Sequence, residues 1–111
     1  MIIAIGIDTV DVRRIERAFR NPRFARRILT ERELAAGLSP SRLAGRWAAK
    51  EAIWKCLPHL TSWQQVEISN DSSGKPVAKV ILPAGTRLHL SISHERETAS
   101  AVAILESIGP S

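Results

Sequence analysis

The stretch RWAAKEAIWK, residues 46–55, constrains the fold more than any other part of the chain. Its apolar residues recur at helical spacing and fall almost all the way round the helix, the pattern of a buried helix. Ser39-Pro40 opens it, with serine as cap and proline in the first turn, and the pattern runs to about Leu57 before Pro58 stops it. Such a helix must be wrapped by the rest of the chain. With 111 residues there is room for one domain and not for two.

The wrapping can be read on either side of it. Residues 2–8 are a short apolar run, expected as a buried strand that stops at Asp8. From Asp11 to Arg20, Val12, Ile15 and Phe19 recur at helical spacing, with Arg13, Arg14, Arg17 and Arg20 on the opposite side, and Asn21-Pro22 ends that helix. Phe24, Ile28 and Leu29 form an apolar patch, helical or irregular. Thr30 to Glu33 has the capping-box spacing, and Gly37 closes the short helix that follows. After Trp63 the period changes to two. Strands are expected over 66–69, 77–82, 88–93 and 99–105, with turns at Asn70–Gly74 and around Glu95–Glu97. The prediction is a single α+β domain over residues 1–111: an N-terminal strand and three helices, one long and central, packed on an antiparallel sheet that runs as a meander.

Composition removes several classes of function. No apolar run approaches the ~20 residues that span a bilayer, and MIIAIGID, short, without a basic lead and ending in Asp8, does not read as a signal peptide. The one cysteine, Cys56, lies among apolar residues and reads as a buried thiol of a cytoplasmic protein. There is no Walker loop, no GxGxxG after a strand and no zinc-ligand spacing. The net charge of +5, with seven arginines in the first quarter, points to a polyanionic partner at that end. Nucleic acid is the less favoured partner: aromatics are only 5% and do not interleave with basic residues for base stacking.

Chemistry must then come from a few charged residues. Glu51 shares a helical arc with Ala44, Trp47 and Ala48, the side that should face protein, where a carboxylate is costly unless paired or metal-bound. Lys55, four residues on, is its nearest local partner, so an ordinary ion pair along the helix is one reading. Arg46 and Lys50 lie on another arc. Asp8 ends a strand just before a helix, where aspartate serves as N-cap, turn former or ligand. Asp8 and Glu51 together are two carboxylates that suit an oxygen-rich Mg²⁺ site, since magnesium takes one or two carboxylates plus phosphate oxygens and water. His94 follows Ser91 and Ser93 at a strand end; phosphate binding suits it better than Ser–His nucleophilic catalysis, because no acid is placed to orient it.

Five segments in order, GIDTVDVRRI, RFARRILTERE, LAGRWAAKEAIWK, DSSGKP and LHLSISH, resemble the small single-domain 4′-phosphopantetheinyl transferases, the holo-acyl-carrier-protein synthase family. The resemblance covers nearly the whole chain. It implies transfer of phosphopantetheine from coenzyme A to a serine of apo-acyl carrier protein, releasing adenosine 3′,5′-bisphosphate, in the cytoplasm and in the service of fatty acid biosynthesis. By motif position it implies Asp8 and Glu51 as Mg²⁺ ligands and Lys55 on the pyrophosphate, these three being the catalytic set. Arg46 and His94 would hold the 3′-phosphate end and Pro76 would line the adenine pocket. Arg13, Arg14, Arg17 and Arg20 would meet the acidic carrier protein, and the protein would be a homotrimer with sites between subunits. Two departures stand out: CLPHLTSW replaces the glycine-rich stretch that follows the helix in relatives, and Glu95 follows SISH. A relative that binds coenzyme A or carrier protein without turnover, and a basic nucleic-acid module, are the rival readings.

Overall fold

Helix α4 (Pro40–Cys56) is the axis on which everything else packs in the computed structural model, which describes residues 1–109. Ser39 accepts from the Arg42 amide and Pro40 occupies the first turn, as the sequence predicts. Ala44, Ala48, Ala49, Ala52 and Ile53 are wholly buried. Small residues dominate because the first strand crosses very close. A Cβ at Gly6 would lie 2.0 Å from the Ala52 carbonyl oxygen, so only glycine fits there.

That strand, β1 (Ile2–Asp11), leads into α1 (Val12–Phe19), α2 (Pro22–Ile28) and α3 (Glu31–Ala35); β2 (Glu67–Asn70), β3 (Pro76–Lys79), β4 (Thr86–His94) and β5 (Thr98–Ser107) follow α4. The class is α+β with helices on one face of an antiparallel sheet, as expected. The apolar patch at 22–28 is helix, capped by Asn21. The Thr30–Glu33 capping box forms in both directions.

Three details differ from the sequence reading. The sheet is not one meander but a three-stranded sheet, β1-β5-β4, and a separate β2–β3 hairpin. Pro83, which has no N–H for a ladder, and Gly85 at φ 71° separate β3 from β4. Next, β1 runs on to Asp11, and only one of its faces is covered. Ala4, Gly6 and Asp8 turn toward α4 while Ile3, Ile5 and Ile7 are exposed. Finally, β5 is the central strand, its Ala99, Ala101, Ala103 and Leu105 buried under α4.

Lys50 is the second surprise of α4. Its side chain is fully buried and its ammonium bonds Glu33 Oε1 at 2.7 Å, the Val66 carbonyl at 2.7 Å, the Ile28 carbonyl at 2.8 Å and, more weakly, the Trp63 carbonyl at 3.2 Å. Burial pulls the Lys50 pKa down from the ordinary lysine value, and the Glu33 hydrogen bond and charge oppose it. One side chain thus joins α2, α3, α4 and the lead into β2. The segment Cys56–Trp63, which carries no glycine, turns inward: Leu57 and Leu60 are buried, and Trp63 stacks on Trp54 with ring centroids 4.1 Å apart.

Candidate active site

Two clusters of functional side chains lie along α4. The first gathers at its C-terminal half. Asp8, on the inward face of β1, meets Glu51, and Lys55 Nζ lies 3.8 Å from Asp8 Oδ1 while donating to the Ile7 carbonyl at 2.6 Å. Desolvation first, then Asp8 through the hydrogen bond a protonated Glu51 gives it and through its charge, push the Glu51 carboxyl up to about 7, against the pull of Lys55 and Arg14. With Glu51 ionised, two acceptor-only groups face each other, and Asp8 Oδ2 is buried without a hydrogen-bond partner.

This geometry decides two alternatives. Asp11, not Asp8, caps α1, accepting from the Arg14 amide at 3.0 Å. Asp8 sits inside the strand and has no capping work to do. Lys55 pairs across to β1, and among the described residues no ion pair joins it to Glu51, so the pairing along the helix does not form. No group of three or more His, Cys, Asp and Glu side chains occurs among the described residues, which is wrong for a structural zinc site. Two half-buried carboxylates with one orphaned oxygen suit a hard cation that keeps water and phosphate as its other ligands.

The second cluster lines a cavity of about 330 Å³ at the other end of the helix, large enough for part of a nucleotide. Arg42, Gly45 and Arg46 form one wall, His94 the second, Asn70 and Pro76 the third. Gly45 lets the end of β4 come close: a Cβ there would meet Ile92 Cγ2 at 3.0 Å and His94 Cδ2 at 3.7 Å. Arg46 donates to Asn70 Oδ1 at 2.8 Å, and Asn70 Nδ2 donates to the Gly74 carbonyl at 3.0 Å, closing the hairpin turn. Burial pulls the Arg46 pKa down; Glu33 opposes that and Arg42 adds to it, so a site with two crowded guanidinium groups gains from an anion. Ser91 and Ser93 alternate with His94 along β4 and belong to the opposite face, which removes a Ser–His nucleophile. Glu95 is in the β4–β5 turn, its amide bonded to the Thr98 carbonyl, and does not line the cavity.

The α1 arginines divide. All four are exposed, but Arg14 lines a hollow that it shares with Glu51, Phe24 and Trp47, whereas Arg13, Arg17 and Arg20 line an outward groove. Arg42, Gly45 and Asn70 line this cavity, and the sequence reading did not single them out. Asn70 looked like a turn former, and only the Arg46 contact gives it a second role. The clusters are five to thirteen positions apart on α4, roughly 8–20 Å along its axis. An extended, multiply phosphorylated ligand can span them.

Comparison with known proteins bears on what that ligand is. A family model described as the 4′-phosphopantetheinyl transferase superfamily matches residues 4–105. The chain is 44% identical to the holo-[acyl-carrier-protein] synthase of Shouchella clausii, over 96% of this chain and 100% of that protein. Among solved structures it is similar to the holo-(acyl-carrier-protein) synthase of Bacillus anthracis in complex with CoA (3′,5′-ADP), with TM-score 0.79, 44% identity and coverage of 96% and 98%. It is also similar to the Helicobacter pylori enzyme in complex with coenzyme A, with TM-score 0.79, 29% identity and coverage of 93% and 100%.

Proposed function

Because the chain belongs to the 4′-phosphopantetheinyl transferase superfamily, we infer that the two clusters on α4 are the two ends of a coenzyme A site. The chain transfers 4′-phosphopantetheine from coenzyme A to a serine of apo-acyl carrier protein. The serine oxygen forms a bond to the phosphorus that carries pantetheine, the pyrophosphate P–O bond breaks, and adenosine 3′,5′-bisphosphate leaves.

The observation that carries the reading is the pair of carboxylates, one with a buried unpartnered oxygen, set beside a lysine and one cavity away from two arginines and a histidine. Asp8 and Glu51 would hold Mg²⁺, which when bound supplies Lewis-acid neutralisation of the pyrophosphate. Lys55 adds a positive charge to the same diphosphate, from a position fixed by its bond to the Ile7 carbonyl. Arg46 and His94, with Arg42, hold the 3′-phosphate, and Pro76 gives the adenine an apolar wall. Phosphoryl-type transfer needs little else than alignment and charge neutralisation. The serine proton must leave as the new bond forms, and of this chain's own groups Glu51, which shares a hollow with Arg14, is the carboxylate placed to receive it. Arg14, beside Glu51, and Arg13, Arg17 and Arg20 further out receive the acidic carrier protein and steer its approach.

A homotrimer with sites between subunits goes with this reading. Ile5 lies opposite Ile104, and Ile7 opposite Val102, so Ile3, Ile5 and Ile7 belong to a continuous apolar sheet face left open on a single chain. Among the described residues no helix is long and apolar enough to cross a membrane. A cytoplasmic place in fatty acid biosynthesis follows from the carrier protein it serves.

The decisive assay incubates apo-acyl carrier protein with coenzyme A and Mg²⁺ and follows the phosphopantetheine mass increment. The increment is expected, and its loss in excess chelator is expected too. No increment with several carrier proteins contradicts the transferase reading; full turnover after metal stripping contradicts the metal's part in it.

A further inference from the structure

The β2–β3 hairpin carries one wall of the nucleotide cavity, Asn70 and Pro76, yet it belongs to neither edge of the main sheet. Side chains do the work that a strand would otherwise do. Ile68, on β2, gives its amide to Glu33 Oε2 at 2.9 Å. The Val66 carbonyl, one residue before β2, accepts from Lys50 Nζ at 2.7 Å. Glu67 Oε1 accepts from the Thr30 hydroxyl at 2.8 Å. Glu33 also accepts from Lys50 and from the Thr30 amide, so both of its oxygens are occupied. Lys50 has three N–H bonds and four acceptors within 3.2 Å, so no proton is spare. On α4 it stands one turn after Arg46, the residue that grips Asn70. A single helix face therefore carries both a cavity residue and the clamp for the opposite wall.

We propose that Glu33 and Lys50 are positioning residues: their buried pair holds the β2–β3 hairpin in register with α4, so that Asn70 and Pro76 face Arg46 and His94 across the nucleotide cavity. This rests on the coenzyme A reading above for what the cavity holds, though the clamp itself does not. Neither residue touches the reacting groups. Their effect passes through the hairpin, as outer partners hold the residues that touch a ligand.

Glu33→Gln tests this, because it keeps shape and removes the charge that Lys50 needs. Three readouts are taken together: the Kd for adenosine 3′,5′-bisphosphate by calorimetry, KM for coenzyme A and for acyl carrier protein, and amide exchange along the chain. The variant is expected to weaken the nucleotide and raise the coenzyme A KM by about tenfold, the size of one charge-assisted hydrogen bond. The carrier-protein KM should move less than about twofold, and exchange should quicken at 67–79 well before β1 and β5. Equal quickening everywhere, or a loosened hairpin with unchanged nucleotide affinity, overturns the proposal. If Glu33→Gln does not fold, Thr30→Val removes the bond to Glu67 together with the hydroxyl cap on the Glu33 amide, keeps the Glu33 and Lys50 side chains, and should give the same pattern at about two- to threefold; no change in either affinity or hairpin exchange overturns it as well. A parent protein that binds no nucleotide would sink the coenzyme A reading instead, and the exchange pattern would still decide whether the clamp exists.

Discussion

Glu33 and Glu51 both lie against α4, and the more deeply buried of the two is the less perturbed in its bonding. Glu33 is 3% exposed, yet both of its oxygens are bonded and a lysine faces it. Glu51 is only half-buried, yet it faces another carboxylate and holds its proton up to about 7. Burial alone does not mark a functional acid. An uncompensated charge does, because the fold gains nothing from it and something else must complete it. Glu33 completes the fold; Glu51 is left uncompensated by it, which is why the proposed metal site is placed there.

The sharpest way to break that contrast is to remove the charges one at a time. Lys50→Met leaves Glu33 buried without its cation and should cost about 3–5 kcal/mol in urea unfolding, close to the whole margin of many small domains. A loss below about 1 kcal/mol would place Lys50 among ordinary surface pairs. Glu51→Gln should do the reverse: kcat falls by about a hundred- to a thousandfold, while thermal stability without metal stays level or rises as the repulsion with Asp8 disappears. A stability loss as large as that of Lys50→Met would erase the distinction.

A titration sharpens it further. Glu51 has its proton affinity raised from 4.5 to about 7 in the folded chain, so between those values the folded state holds more proton than the unfolded one. In excess chelator its contribution to stability is fully present below pH 4.5 and is lost as pH rises through about 7. The slope should vanish in Glu51→Gln and persist in Lys50→Met, if the latter folds. A slope of the opposite sign over this window in the parent, absent from Glu51→Gln, would mean that Glu51 is held ionised. The smallest effect concerns the outer surface. Arg14→Glu should raise the KM for carrier protein by about three- to tenfold, more at low salt, and leave that for coenzyme A nearly unchanged.

The contrast also explains what could be read in the sequence. The long helix, the capping box at Thr30 and the α+β class follow from local spacing, and local spacing is enough for them. Glu51 stood out as an acid on a helix arc that should face protein, Asp8 only as the acid that ends the first strand, and the two were joined by what a magnesium ion would need and by the resemblance. Lys50 did not stand out: its partner is 17 residues away, on a helix whose packing no local pattern reveals. The separate hairpin was hidden for a similar reason. Alternation predicts that a segment is a strand, but not which strand lies beside it. The open face of β1 was read as buried because its isoleucines look the same whether the cover is this chain or another copy.

The measurement that bears most directly on the pairing of Asp8 with Glu51 is an anomalous-difference map from crystals grown with coenzyme A and Mn²⁺. A peak bonded to both carboxylates and to a pyrophosphate oxygen is the predicted result. Well-ordered coenzyme A with the metal elsewhere, or with no metal between these two acids, would contradict the account.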